Sequence, residues 1–249
     1  MLKNINNSNS EAPLVYIAHG LNQKISIWDN WVEDIENNIS SKVILSQLKG
    51  HSSDESLNNS SYRLWCKQIE SDLSRIFAIS PKKPIHILAY SLGALLVVDV
   101  LLKNNYQPDK LVLIAPAFKP HFALSLIPNL SNKSLKKIKV PSLSPKHSRV
   151  HNSISLYIYK EIHRASERVA VDLHKLKANE LSVIMDKKDE LLNGLKTKQT
   201  LENSGLSFDW TWVESQGQGL GKHHLLPANG YLSDSLYNGL ISKISSSMT

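Results

Sequence analysis

Four short stretches of this chain are apolar almost without interruption: "APLVYIA" (12–18), "PIHILAY" (84–90), "KLVLIAPAF" (110–118) and "ELSVIM" (180–185). A strand with one wet face alternates apolar and polar residues. A strand without that alternation is covered on both sides. Between these runs lie segments with helical spacing. "ISIWDNWVEDIENNI" (25–39) brings Ile27, Trp31, Ile35 and Ile39 onto one face; "SYRLWCKQIESDLSRIFAI" (61–79) and "LGALLVVDVLLKN" (92–104) follow the same logic. "SKVILSQLKG" (41–50) adds a strand, and after residue 186 come a helix at about 190–204, a strand in "FDWTWVE" (208–214) and a helix near 231–247. Strand and helix in alternation predict an α/β fold, with a mostly parallel sheet and helices on both of its faces.

The rhythm breaks once, between residues 119 and 178. This stretch is irregular at first and helical at about 152–178. It has the length of a cap inserted after the fourth strand, leaving 1–118 and 179–249 as the core. It also holds most of the charge imbalance. Twelve Lys and Arg stand there against Glu161, Glu167 and Asp172, a surplus of nine in a chain whose net charge is +7. The rest of the chain is therefore slightly acidic. A solvated basic face is the commonest meaning of such a segment; a landing site for an acidic partner is the other.

Several classes are excluded early. The single cysteine, Cys66, rules out an internal disulfide and a multi-cysteine zinc site. Its helical context, "RLWCKQIE", reads as packing. No run reaches the length of a membrane-crossing helix, and the Asn/Ser-rich N-terminus lacks the apolar core of a signal peptide, so a soluble cytoplasmic protein is expected. There is no phosphate loop and no dinucleotide fingerprint. The basic residues are not interleaved with aromatics, which argues against nucleic acid. Histidines 121, 147, 151, 163 and 174 show no metal-ligand spacing beyond the H-x-x-x-H of 147–151, where no carboxylate is near. No metal and no cofactor are expected.

The chemistry centres on "LAYSLGA". Ser91 stands where a buried strand meets a buried helix, with Ala89 and Gly93 two positions away on either side. A sharp strand-to-helix turn lifts a serine oxygen into the open, and crowding demands small neighbours. The unpaired amide of Leu92, at the helix start, can donate to a negative oxygen beside Ser91. A plain serine cap would look similar. What tips the reading is the order of later residues. Asp186 and Asp189 follow a strand, and His223 and His224 occupy a loop after the last strand. A serine nucleophile needs a base, and the base needs an orienting acid. Asp99 and His86 fail on position: Asp99 lies well along the helix, where a solvated or locally paired role is expected, and His86 is at the wrong end of its strand.

Taken together, "IAHGLNQ", "LKGHSSDE", "LAYSLGA", "KKDELL" and "KHHLLP" resemble the α/β-hydrolases, in the branch of compact bacterial carboxylesterases and monoacylglycerol-lipase-like enzymes. The resemblance spans residues 12 to 247 and departs by one methyl group at Ala89. It implies about six strands, since the family's first two antiparallel strands are missing. It also implies Ser91 as nucleophile, Asp189 in preference to Asp186 as acid, and His224 in preference to His223 as base. The amide of Leu21 becomes the oxyanion donor beside Leu92, and His51 takes a structural role.

The activity so implied is hydrolysis of small acyl esters through an acyl-serine. Apolar "FALSLIPNL" and "SISLYIY" in the 119–178 cap, or lid, are expected to wall the acyl pocket, with the lysines facing outward. Two alternatives stand: action on chains carried by an acidic acyl carrier protein, or at an anionic lipid surface, through the basic cap; and a ligand-binding protein without catalysis.

Overall fold

The computed structural model describes residues 12–39, 43–52, 54–79, 83–121 and 132–246. The elements run β1 (Leu14–Ala18), α1 (Asp29–Ile39), β2 (Val43–Leu45), α2 (Tyr62–Ile79), β3 (Ile85–Tyr90), α3 (Leu92–Asn104), β4 (Lys110–Ile114), α4 (Asn132–Lys137), β5 (Lys139–Pro141), β6 (Ser153–Ser155), α5 (Leu156–Asp172), β7 (Glu180–Asp186), α6 (Gly194–Asn203), β8 (Asp209–Val213) and α7 (Asp234–Ser245). Six strands form one parallel sheet in the order β2-β1-β3-β4-β7-β8. β5 and β6 make a separate antiparallel pair.

The central strands are covered on both faces, as their unbroken apolar runs require. Every residue of β1, β3 and β4 is buried. α1 packs with α7, whereas α2, α3 and α5 pack with one another. α3 and α7 both reach β3, so the strand that ends just before Ser91 is enclosed between them. α3 itself is apolar nearly all round, which marks a helix buried in the body of the fold.

The interval 119–178 divides by location. α5 packs on α2 and α3. Val140 of β5 and the turn after it face the cavity above Ser91. Residues 122–130, the "FALSLIPNL" stretch, and the N-terminal residues 1–11 lie outside the described residues. The H-x-x-x-H of 147–151 is not helical; it lies in turns, and His151 Nε2 bonds the carbonyl of Gly50 at 2.8 Å. Among the described residues no cluster could hold a metal ion, and no helix is long and apolar enough to cross a membrane.

Of the two roles expected for Asp99, the structure shows local pairing, with Lys103, and not solvation. Asp99 is buried in α3, where it accepts the Tyr62 hydroxyl at 3.0 Å and an Arg168 N–H at 2.6 Å. A local Lys103 contact at 3.4 Å supplements this long-range pair. Helical periodicity alone could not disclose it, because Arg168 is 69 residues away. The carboxylate thus ties α3 to α2 and α5. Cys66 packs beside it; burial first, then the Asp99 charge, pushes its thiol up to about 12, so it stays protonated and inert.

Candidate active site

Ser91 sits at φ 52° and ψ −115°, a strained backbone for a residue with a side chain. Its N–H donates to the Ile114 carbonyl at 2.9 Å, and its carbonyl accepts from Ala117 at 3.2 Å. These bonds to the end of β4 hold the turn in place. The demand for a small residue at position 93 is severe: a Cβ there would lie 2.4 Å from the carbonyl oxygen of Ala18 and 2.5 Å from that of His19. α3 leaves the elbow in backbone contact with the end of β1. Ala89, on the other side, is fully buried.

The structure brings Ser91, Asp189 and His224 together. The Ser91 hydroxyl is 3.0 Å from His224 Nε2, and His224 Nδ1 is 2.8 Å from Asp189 Oδ2. With Nδ1 donating to the carboxylate, Nε2 presents a lone pair to the serine hydroxyl. The other oxygen of Asp189 accepts the Leu191 and Leu192 amides, each at 2.8 Å. The carboxylate is therefore buried, fully bonded and locked in orientation.

Asp186 and His223 pair instead with each other, at 2.9 Å between Oδ2 and Nδ1. Asp186 is the last residue of β7, and its carboxylate accepts the amides of Lys188 and Ser215, both at 2.7 Å. That leaves it facing the neighbouring β8 exit rather than Ser91. The two Asp–His pairs thus run side by side, and one of them reaches the serine.

Leu21 and Leu92 both line the cavity beside Ser91. Among the described residues neither amide has a protein acceptor, which is what an oxyanion donor pair requires. The loop carrying Leu21 is tightly held. Gln23 Oε1 accepts the Gly20 amide at 3.1 Å and the Trp28 indole N–H at 3.0 Å. Asn22, at φ 58°, exchanges side-chain hydrogen bonds with Ser142 and with both main-chain groups of His151. Neither Asn22 nor Gln23 follows a pattern that sequence reading weighs, although both lie in "HGLNQ".

The cavity has a volume of about 310 Å³. Ala117, Val140, Leu143, Ile154, Ile162 and Leu192 give it a mainly apolar wall, with Ser91 and His224 at the floor. Glu190 is its acidic lining residue among those described. Both oxygens of Glu190 are engaged, accepting the amides of His223 at 3.3 Å and His224 at 3.1 Å.

A strained serine elbow, hydrogen-bonded to a histidine and through it to an aspartate from two later loops, and a parallel sheet with these crossovers define an α/β-hydrolase. The sequence matches the model of the serine aminopeptidase S33 family over residues 9–209, and the chain belongs to that family of α/β-hydrolases. Comparison with curated proteins finds no match. Among solved structures it is similar to a structure reported for LipS and LipT, two metagenome-derived lipolytic enzymes, at TM-score 0.72 and 14% identity, covering 95% of each chain. It is also similar to a monoacylglycerol lipase of Paleococcus ferrophilus (TM-score 0.68, 17% identity, 94% of this chain and 96% of that one). The ferulic-acid complex of Est1E from Butyrivibrio proteoclasticus is a third (TM-score 0.65, 14% identity, 96% and 90%).

His19, next to Gly20, is buried and neutral. Its Nδ1 faces the Gly20 carbonyl at 2.8 Å, and its Nε2 accepts the Leu48 amide at 3.1 Å. Burial pushes its pKa down to about 4, against a smaller opposing effect of the Gly20 carbonyl. The folded pKa lies below the unfolded value, so below about pH 6.5 the unfolded chain binds a proton that the native state refuses. Stability is therefore full above pH 6.5 and falls as pH drops toward 4, by up to about 3 kcal/mol from this group. Urea unfolding at pH 7.5 and pH 4.5 should show a smaller loss in His19→Asn than in the wild type. Equal losses in the two proteins would remove His19 from the acid lability of the fold.

Proposed function

We propose that this protein is a serine hydrolase of carboxylic esters, acting through an acyl-serine intermediate. The observation that carries the reading is the hydrogen-bonded relay from Ser91 through His224 to Asp189 at the floor of an apolar cavity. His224 Nε2 takes the hydroxyl proton as Ser91 Oγ attacks the ester carbonyl. Asp189 stabilises the imidazolium, and the amides of Leu21 and Leu92 receive the oxyanion. The imidazolium then protonates the departing alcohol. Water, activated by the same imidazole, hydrolyses the acyl-serine and restores Ser91.

The cavity favours an ester over an aminopeptide. A substrate with a free amino terminus calls for an unengaged carboxylate nearby. Glu190, the acidic lining residue, already has two main-chain donors. The adjoining stretch 120–160 contains no Asp or Glu at all.

Ser91→Ala should abolish esterase activity and leave the fold intact. A fluorophosphonate probe should label the wild type and spare the variant; labelling that survives in Ser91→Ala would place the nucleophile elsewhere. Asp189→Asn and His224→Ala should each lower turnover by about three to four orders of magnitude. His223→Ala and Asp186→Asn should fall far less, because their pair does not touch Ser91.

We assign acyl recognition to the 119–178 interval, with Val140, Leu143, Ile154 and Ile162 as its described wall residues. Each buried methylene contributes about 0.8 kcal/mol, so kcat/KM should rise from acetyl to hexanoyl by up to about two orders of magnitude. A flat or falling series of p-nitrophenyl esters would show that the wall does not hold an acyl chain.

A second reading, delivery of the acyl group by an acidic carrier protein, draws on the same interval. Lys136, Lys137 and Lys139 are exposed and directly precede Val140 on the cavity wall. Replacing all three by Gln should weaken turnover of a carrier-bound thioester and spare small esters. Parallel changes in both would leave only a solvated face.

A further inference from the structure

His224 sits in a surface loop, yet its imidazole must meet Ser91 and Asp189 within a few tenths of an ångström, since a misplacement of about 1 Å costs roughly a hundredfold in rate. We propose that Tyr90 and Glu190 are positioning residues that fix the imidazole of His224 by gripping its main chain from two sides. The proposal rests on the assignment of His224 as the base.

Tyr90 is the last residue of β3 and directly precedes Ser91. Its hydroxyl donates to the His224 carbonyl at 2.9 Å, and its ring lies 5.3 Å from the imidazole, centroid to centroid. The ring is itself wedged: a Cβ on Gly20 would approach it to 2.5 Å, so the loop before Leu21 packs against it. Burial, then the charges of Asp189 and Glu190, push the phenol well up, so it is protonated and remains a donor.

Glu190 directly follows Asp189. One carboxylate oxygen accepts the His224 amide at 3.1 Å and the other the His223 amide at 3.3 Å. The turn contributes its own bonds to the same groups: the Gly221 carbonyl shares the His224 N–H at 3.2 Å, and the Leu226 amide shares its carbonyl at 2.9 Å. Those local bonds shape the turn but cannot tie it to the sheet. Tyr90 and Glu190 do so, from β3 and from the loop after β7.

The consequence is a doubled constraint. Ser91 is joined to His224 by its own hydroxyl and, one residue back, by Tyr90 through the His224 carbonyl. Asp189 is joined to it by its own carboxylate and, one residue on, by Glu190 through the His224 amide. Each member of the relay is thus braced by its sequence neighbour, without that neighbour touching the reacting atoms.

The test compares Tyr90→Phe, Glu190→Gln and Glu190→Ala on a small p-nitrophenyl ester. Tyr90→Phe and Glu190→Ala should each lower kcat about tenfold, with KM little changed. Glu190→Gln keeps one acceptor oxygen and should recover part of the loss. In a His224→Ala background neither Tyr90→Phe nor Glu190→Ala should reduce the residual rate further, because their effect passes through that imidazole. A purely structural role would raise KM, lower the melting temperature and persist in the His224→Ala background. Any of these without a kcat effect, or wild-type kcat in both variants, overturns the proposal. Should Glu190→Ala fail to fold, Tyr90→Phe and Glu190→Gln carry the same test. If Ser91→Ala or His224→Ala keeps full activity, the assignment of the site falls first; if both are inactive while Tyr90→Phe and Glu190→Ala match the wild type, only the bracing role falls.

Discussion

The arrangement depends on the close approach of α3 to the end of β1. Without a side chain at Gly93, the helix starts in contact with the carbonyls of Ala18 and His19. That approach forces Ser91 into a positive φ, turns its hydroxyl toward the cavity and brings the Leu92 amide beside the loop that carries Leu21. Ser91 and the amides of Leu21 and Leu92 are thus placed by one steric fact. The bonds from Ser91 to Ile114 and Ala117 keep the strain from relaxing. A strained turn persists only where its surroundings over-determine it, and here two strands and a helix do so.

The sheet and most helices were legible because their periodicity is local. α3 begins at Leu92 and ends at Asn104, as its pattern predicts, and the central strands fall inside the unbroken apolar runs, although β4 stops at Ile114, four residues before the run 110–118 does. The proximity of Ser91, His224 and Asp189 was legible for another reason: in a parallel sheet the loops after successive strands emerge at one edge, so order along the chain becomes nearness in space. What stayed hidden depends on contacts between distant residues. The Asp99–Arg168 pair, the anchoring of Asn22 to His151 and the grip on the His224 main chain leave no spacing to read. At 147–151 the histidine spacing of i, i+4 would share one face only in a helix, and Pro145 with the bonds to its carbonyl folds the segment into turns instead.

Two adjacent aspartate–histidine pairs make a point about how position outweighs residue type. Asp186 and Asp189 stand three apart, His223 and His224 one apart, and all four are paired. Asp186 is still within the β7 ladder, so its carboxylate is used by Ser215, Lys188 and His223 along the sheet edge. Asp189 has turned the corner, and its remaining oxygen points to the histidine that meets Ser91. One pair lies along the sheet edge and the other reaches the Ser91 hydroxyl, although composition alone does not distinguish them.

Asn22 joins two parts of the protein that would ordinarily be free to vary separately. Its side chain and carbonyl hold Ser142, Val150 and His151, while its neighbour Leu21 offers an amide to the cavity. The apolar wall of the cavity is thereby stitched to the loop beside Ser91. Such a wall is a poor interchangeable module. Grafting a different segment between Ser142 and His151 would disturb the backbone at Leu21 along with the shape of the chamber, so the wall and the floor of this cavity are coupled variables rather than independent dials.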